Sequence, residues 1–430
     1  MSCPVTTHSI AKGNRAPSTA RIQTETGLAG NKTNSLARRR EDPKSGPGGP
    51  FCFPWCLSAL VQISKISPDL VPSQIPKPLP LRPHPDKVPW MSQLPCIPPA
   101  TWLVTGAAGF IGSNLVETLL RLDHAVVGLD DFSTGKHANL DDVQAQVSPA
   151  QWARFRLVHG SIADPVACAQ ACAGVRYVLH QAALGSVPRS LKQPLDSHLA
   201  NVTGFLTLIE SARAAGVSRV VYASSSSVYG DHPALPKIES QLGNPLSPYA
   251  ATKVIDELYA SVWERCYHLS LIGLRYFNVF GRRQDPDGAY AAVMPRWIAG
   301  MLRGEAIQIN GDGETTRDFC YIANVCQANL LAATTQVAGA SGRAYNVACG
   351  AQLSLNQLHA HLRADLPGLT AAQRAILAEY VPFREGDIRH SLADISAAQQ
   401  YLGYRPTLTA SQGLSETLAW YHQHLRPDSA

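Results

Sequence analysis

Trp102-Leu103-Val104-Thr105-Gly106-Ala107-Ala108-Gly109-Phe110-Ile111-Gly112 carries an apolar run through three spaced glycines into an amphipathic stretch, Ser113 to Leu122. Strand, tight turn and helix in that order open a dinucleotide-binding βαβ unit. Gly106 permits the turn, Gly109 lets the backbone approach a pyrophosphate, and Gly112 lets helix pack on strand, with the phosphates at the helix N-terminus. The next apolar run, Ala125-Val126-Val127-Gly128-Leu129, ends in Asp130, 18 residues past Gly112. A carboxylate there accepts hydrogen bonds from an adenosine ribose and repels a 2′-phosphate, which favours NAD over NADP.

Outward from this unit, short apolar runs alternate with longer helical patterns. Phe155 to Val158, Tyr177 to His180, Val220 to Ala223 and Leu271 to Leu274 read as strands, with helices at Leu195 to Ala215 and Tyr249 to Tyr267. Such alternation predicts an α/β fold, a doubly wound parallel sheet of Rossmann type. Past Gly281 the pattern weakens into loops rich in Gly, Asp and Pro, so a smaller C-terminal α/β domain is expected to cap the strand ends. The expected division is a Pro-rich leader over 1–99, an NAD-binding domain over 100–280 with return segments near 318–350, and a substrate domain over 281–425.

The leader differs in kind from the rest. Residues 1–99 hold 12 Lys and Arg against 5 Asp and Glu, and 17 of the 31 prolines. With no sustained periodicity, they are expected to be largely disordered. The remaining residues carry 25 basic against 27 acidic side chains, which gives no argument for nucleic-acid binding. Phe51 to Ile63 is too short, and too interrupted by Pro54, to anchor in a membrane. The acid-poor start slightly favours a transit peptide, but the plainer expectation is initiation at Met91, which would leave residues 1–90 untranslated. The ten cysteines include no CxxC and no Cys/His cluster with zinc spacing, so a reduced, cytoplasmic, metal-free protein is expected.

Pro248-Tyr249-Ala250-Ala251-Thr252-Lys253 places a phenol and an ammonium four residues apart. On a helix both leave one face, and the ammonium favours the phenolate, a base at neutral pH. Beside a dinucleotide such a base takes a hydroxyl proton while the carbon bearing it gives up a hydride.

Seven segments extend these readings: TGAAGFIGSNL from Thr105, HQAALGSVPRS from His180, SSSSVYGDH from Ser224, SPYAATK from Ser247, LRYFNVFGRRQDP from Leu274, GDGETTRDFCYI from Gly311 and REGDIRHSLADIS from Arg384. With them, residues from about 100 to 422 resemble the extended short-chain dehydrogenase/reductases, and within these the NAD-dependent UDP-sugar 4-epimerases. They look closest to the bacterial UDP-N-acetylglucosamine 4-epimerases of polysaccharide biosynthesis.

The resemblance implies that Tyr249 is the acid/base, that Lys253 tunes it and bonds the nicotinamide ribose, and that Ser225 shares the C4-hydroxyl proton. It implies a cofactor site made by Gly106, Gly109, Phe110, Ile111 and Gly112, by Asp130, Asp131, Ser133, Thr134 and Gly135, and by Ser161 and Ile162. Gln181, Ala182, Ala183, Asn201 and Tyr276 complete it, together with Tyr249 and Lys253. Ser186, Ser226 and Ser227 would line the sugar pocket, although a serine run after a strand also fits a plain loop. Asn278, Arg317 and Arg384 would hold the diphosphate and Asp387 the uridine ribose, guanidinium forks being suited to phosphate oxygens. A homodimer through the helices containing Asn201 to Ala215 and Tyr249 to Tyr267 is also implied.

Chemistry narrows the choice within the family. A 4,6-dehydratase needs an acid pair near the nicotinamide and a decarboxylating relative needs a Glu before Val-Tyr-Gly, whereas here Ser226-Ser227-Val228-Tyr229-Gly230 has no carboxylate. Where epimerases restricted to unacetylated sugars resemble one another in a bulky tyrosine, this chain has Ser391, and Gly185-Ser186 stand where those enzymes carry a lysine. The small Ser391 leaves room for a 2-acetamido group and Gly185-Ser186 fits the acetamido-specific subgroup, so the expected pair is UDP-GlcNAc and UDP-GalNAc. The alternatives are the corresponding uronates, UDP-GlcNAcA and UDP-GalNAcA, and a non-catalytic nucleotide-sugar sensor or scaffold. One departure stands out: Gly160-Ser161-Ile162 replaces the usual Gly-Asp-Ile, so a neutral hydroxyl takes the place of the acid that holds the adenine amino group, which points to weaker NAD binding.

Overall fold

The computed structural model describes residues 91, 94, 97–288, 291–383 and 388–425, so the reading of 1–99 as a leader falls almost wholly outside the described residues. In chain order the strands are β1 (Thr101–Thr105), β2 (Ala125–Asp130), β3 (Phe155–His159), β4 (Tyr177–His180), β5 (Arg219–Ser225) and β6 (Leu271–Tyr276). They continue with β7 (Val279–Phe280), β8 (Gln308–Asn310), β9 (Thr316–Arg317), β10 (Cys320–Tyr321), β11 (Arg343–Val347), β12 (Leu353–Ser354) and β13 (Glu379–Val381). One sheet takes seven of them in the order β11-β6-β5-β4-β1-β2-β3, every pairing parallel. This is the doubly wound α/β sheet that the alternating pattern predicts. Chain order reverses between β1 and β4, which opens a crevice at their carboxyl ends, where such sheets bind ligands.

The sheet is stable because both faces are covered, and the strand alternation assigns the side chains to them. Trp102 and Val104 enter one apolar core with Leu115 and Leu119 of the helix Phe110–Arg121. Leu103 points the other way, into a second core with Val127, Leu129, Val178 and Phe205. The remaining strands form three two-stranded pairs, β10 with β7, β12 with β9 and β13 with β8. Among the described residues no helix is long and apolar enough to cross a membrane, and no His, Cys, Asp and Glu cluster is arranged to hold a metal ion.

The helix expected over Leu195 to Ala215 is not continuous. Pro194–His198 and Gly204–Ala214 are α-helical, and a π-turn, Leu199–Thr203, lies between them. Asn201 sits in that turn, and its side chain bonds other segments: Oδ1 accepts from Leu184 N at 2.8 Å, and Nδ2 donates to Thr252 Oγ1 at 3.1 Å. Wider turns of this kind occur at functional sites, and here the turn aims one amide at two neighbouring segments.

Candidate functional site

Beyond β1 the chain turns at Gly106, with φ 65°. A Cβ on Gly112 would lie 1.9 Å from Gly106 O, so helix backbone meets turn backbone with space for no side chain. The helix behind Gly109 has no side-chain cap and no acidic residue in its first turn. Its leading amides and the positive end of its dipole are thereby left for an anionic ligand. Asp130 braces the same turn, its Oδ2 accepting from Ala108 N and its Oδ1 from Phe132 N, each at 2.8 Å. Each carboxylate oxygen keeps a lone pair for a ribose hydroxyl. Burial pushes the carboxyl of Asp130 up, against the pull of those two amides.

These elements enclose a cavity of about 310 Å³. Its wall includes every cofactor position named from the sequence except Asn201, Tyr249, Lys253 and Tyr276. Ser161 is on that wall, with its Oγ accepting from Ala163 N at 3.3 Å. Tyr276 stands behind it, donating to Gln181 Oε1 at 3.1 Å and accepting from Asn329 Nδ2 at 2.9 Å, so it steadies Gln181. Asn201 in turn ties the Leu184 backbone on this wall to Thr252. An uncapped helix start, a glycine turn without room for side chains and a carboxylate at the end of β2 fit an NAD molecule, its pyrophosphate at the turn and its adenosine ribose at Asp130.

Tyr249 and Lys253 lie in the first two turns of the helix Pro248–Tyr267. Ser247 caps that helix, accepting from Ala250 N at 3.1 Å, and Pro248 takes the first helical position. Tyr249 is half-buried and Lys253 buried. Burial works against the charge of Lys253, but Asp256, whose Oδ2 accepts from Nζ at 3.1 Å, and the phenol of Tyr249 hold the ammonium above the usual lysine range. Ser225 ends β5, and its Oγ accepts from Ser227 N at 3.1 Å, which leaves its own hydroxyl proton to donate.

Two further cavities adjoin through Asn278 and Arg317, which line both. The larger, about 520 Å³, also takes Ser186, Arg296, Gln308 and Asn310. The other, about 370 Å³, takes Ser226, Ser227, Lys237 and Ser391. Ser186 and Asn278 have φ of 119° and 35°, a conformation that costs non-glycine residues energy and is concentrated at ligand sites. Arg384 and Asp387 lie outside the described residues.

Several polar side chains in this region go unremarked in a reading of the sequence. Thr105 Oγ1 accepts from the amides of Gln181 and Ala182, both at 3.2 Å, and lies 2.7 Å from His180 Nδ1, which locks the ends of β1 and β4 together. Burial, with Lys253 nearby, pushes His180 down to about 3, so the ring is neutral. Glu257 accepts from Ser224 Oγ at 2.6 Å and from Arg275 Nε and Nη2 at 2.9 and 2.8 Å. Arg275 also donates to Tyr229 OH at 3.1 Å. That chain fastens the helix to the sheet beneath the site. Only Asp256 carried a local signal, three residues after Lys253.

Comparison with known proteins agrees with this geometry. The NAD dependent epimerase/dehydratase family matches residues 102–348. A curated UDP-glucose 4-epimerase of Mycolicibacterium smegmatis is 37% identical over 325 residues, covering 74% of this chain and 97% of that protein. The solved UDP-N-acetylglucosamine 4-epimerase from Methanobrevibacter ruminantium M1, in complex with UDP-N-acetylmuramic acid, is 35% identical with a TM-score of 0.69, covering 76% of this chain and 100% of that one. A mutant UDP-glucuronic acid 4-epimerase from Bacillus cereus, in complex with UDP-4-deoxy-4-fluoro-glucuronic acid and NAD, is 30% identical with a TM-score of 0.67, covering 75% and 99%.

Proposed function

This chain belongs to the NAD dependent epimerase/dehydratase family, and on that premise we propose that it is a UDP-sugar 4-epimerase whose substrates are UDP-GlcNAc and UDP-GalNAc. The observation that carries this reading is a pair of cavities with a common wall that includes Asn278 and Arg317, the larger reaching Ser186 next to Gly185 of the nucleotide cavity, whose wall Asn201 ties through Leu184 to Thr252 of the helix that bears Tyr249 and Lys253. One cavity suits a clamped diphosphate, and the serine-lined one gives the sugar room to turn.

NAD held in the nucleotide cavity would supply a reversible hydride acceptor for C4 of the sugar. Tyr249 takes the C4-hydroxyl proton as the hydride leaves and gives it back after the sugar turns, so proton and hydride balance with no net redox. Ser225 donates a hydrogen bond to the C4 oxygen, and the Lys253 ammonium stands one helical turn from Tyr249. Asn278 and Arg317 hold the diphosphate while the 4-keto sugar rotates and re-presents its opposite face. Retaining the ketone is then a matter of never releasing the nucleotide.

The acetamido assignment rests on Ser391, whose small side chain lines the 370 Å³ cavity. Chromatography of the epimers formed from UDP-GlcNAc, UDP-glucose and UDP-GlcNAcA tests it. UDP-GlcNAc should be converted fastest, and Ser391→Tyr should cut its kcat/KM by about tenfold or more while sparing UDP-glucose. Equal losses for both sugars would remove the argument from size. Lys237, buried on the same cavity wall with no acidic partner among the described residues, favours the uronate as the second reading, in which UDP-GlcNAcA outpaces UDP-GlcNAc.

The dimer is proposed on a surface feature. Leu195 and Leu199, 81% and 54% exposed, and Leu258 and Val262, 62% and 38% exposed, recur at helical spacing on elements packed side by side. So much apolar surface at one place is the mark of an interface with a second copy. Leu258→Glu is expected to turn a dimer into a monomer in light scattering, with the fold retained by circular dichroism; a monomeric parent protein would refute the assignment.

A further inference from the structure

Lys253 and Asp256 face each other on the helix Pro248–Tyr267, their side chains 3% and 1% exposed. Nζ lies 3.1 Å from Asp256 Oδ2, and Asp256 Oδ1 has no hydrogen-bond partner. An enclosed carboxylate with one oxygen unsatisfied is unfavourable unless a charge requires it. The proposed reaction does not use Asp256, and it lines none of the three cavities described above.

The surroundings leave Asp256 as the counter-charge of the ammonium. Glu257, the next acid on the helix, is engaged by Nε and Nη2 of Arg275 from β6. His180 from β4 is neutral, and burial pushes the Tyr222 hydroxyl from β5 far above its ordinary range, so it is neutral too. On the covering helices Val187–Lys192 and Pro194–His198, Arg189 is half-buried, and Lys192, Asp196 and His198 are exposed. Tyr249 lies one turn before Lys253 on the same helix, and its phenol is among the groups that hold the ammonium up.

We propose that Asp256 is a positioning residue, which fixes Lys253 Nζ and keeps it charged so that the ammonium is presented to Tyr249. The inference rests on the epimerase reading for what Lys253 does in turnover; the pairing itself rests on geometry. Burial pushes the Asp256 carboxyl up against the pull of Lys253, and protons on so close a pair belong to both groups together.

The test follows the Lys253 Cε resonance against pH in protein labelled with lysine carrying ¹³C at Cε, the signal being assigned by its loss in Lys253→Met. In Asp256→Asn the ammonium should deprotonate about one pH unit or more below the parent value. The alkaline limb of kcat with UDP-GlcNAc should move down with it, and Asp256→Glu should restore both in part. A simple packing role lowers kcat without moving either titration, and an unmoved titration overturns the proposal. The parent protein supplies a check that needs no variant to fold: its Lys253 signal should step as Asp256, raised by burial, takes up its proton on the acid side of neutrality, and a signal that stays flat through the whole acid titration overturns the pairing. If the parent protein converts no UDP-sugar, the epimerase reading fails while the resonance still decides the role of Asp256.

Discussion

Tyr249→Phe should lower kcat for UDP-GlcNAc by about 10³-fold, equivalent to about 4 kcal/mol of transition-state stabilisation, with NAD still bound. The substitution removes one oxygen and keeps the ring, so the half-buried position stays filled. Ser247 still caps the helix, and Lys253 still has Asp256, so the structural supports of the site are untouched. What disappears is the atom that accepts the C4-hydroxyl proton. Ser225 cannot stand in for it, because a neutral serine hydroxyl is a far poorer base than a phenolate, and its own oxygen already accepts from Ser227 N. The check is epimer formation by chromatography, with reduced nicotinamide followed by absorbance in a single turnover. Both signals should be lost together. Activity within about tenfold of the parent protein would mean that another base does this work and would remove Tyr249 from the mechanism. Retained NADH formation without epimer would instead place the defect in the return of the hydride.

The part of this site that is legible in the sequence is the part set by backbone chemistry. Gly106 and Gly112 are forced by a positive φ and by a 1.9 Å approach, so the glycine turn announces itself wherever it occurs. Asp130 is fixed by strand length, and Tyr249 with Lys253 by the helical repeat. The seven-stranded sheet follows from the same local regularities, since apolar runs alternating with helical patterns have few ways to bury both faces. The π-turn at Asn201 is not legible, because it answers to Leu184 and Thr252, which are 17 and 51 residues away. Arg296 reaches the larger cavity from the helix Val293–Arg303, and Gln308 and Asn310 reach it from β8, with no spacing rule to connect helix and strand to the site. Lys237 hides for the same reason: a lysine in a loop reads as a solvated charge until the fold encloses it. Tyr276 and Asn201, named as cofactor contacts by resemblance, sit one layer behind the cavity wall and brace residues that are on it.

The base of the cofactor helix carries a second large expected effect, this one on stability. Glu117 is buried on the helix Phe110–Arg121 and meets three guanidinium groups: Arg121 at 2.8 Å, Arg282 at 2.9 Å and Arg283 at 2.6 Å. Arg283, itself buried, also reaches Asp142 at 2.6 Å, which joins three segments beneath the glycine turn. Burial alone would push the carboxyl of Glu117 up, but Arg282, Arg283 and Arg121 outweigh it and hold the group at about 2. A folded value below the ordinary 4.5 means that the cluster contributes its full stability above that pH and loses it as the pH falls toward 2. The displacement corresponds to about 3 kcal/mol, and Arg121 and Arg282 losing their carboxylate, while Arg283 keeps Asp142, brings the loss for Glu117→Gln to about 3–5 kcal/mol at neutral pH. Urea unfolding of parent and variant should therefore differ most at neutral pH and converge as the acid is titrated. A gap that stays constant with pH would mean that Glu117 acts by packing and not by charge. Because the same helix presents its first amides to the proposed pyrophosphate site, Glu117→Gln should also weaken NAD retention at neutral pH. Arg121→Met, which removes the partner on the helix itself and leaves Arg282 and Arg283 in place, should show a smaller loss of both.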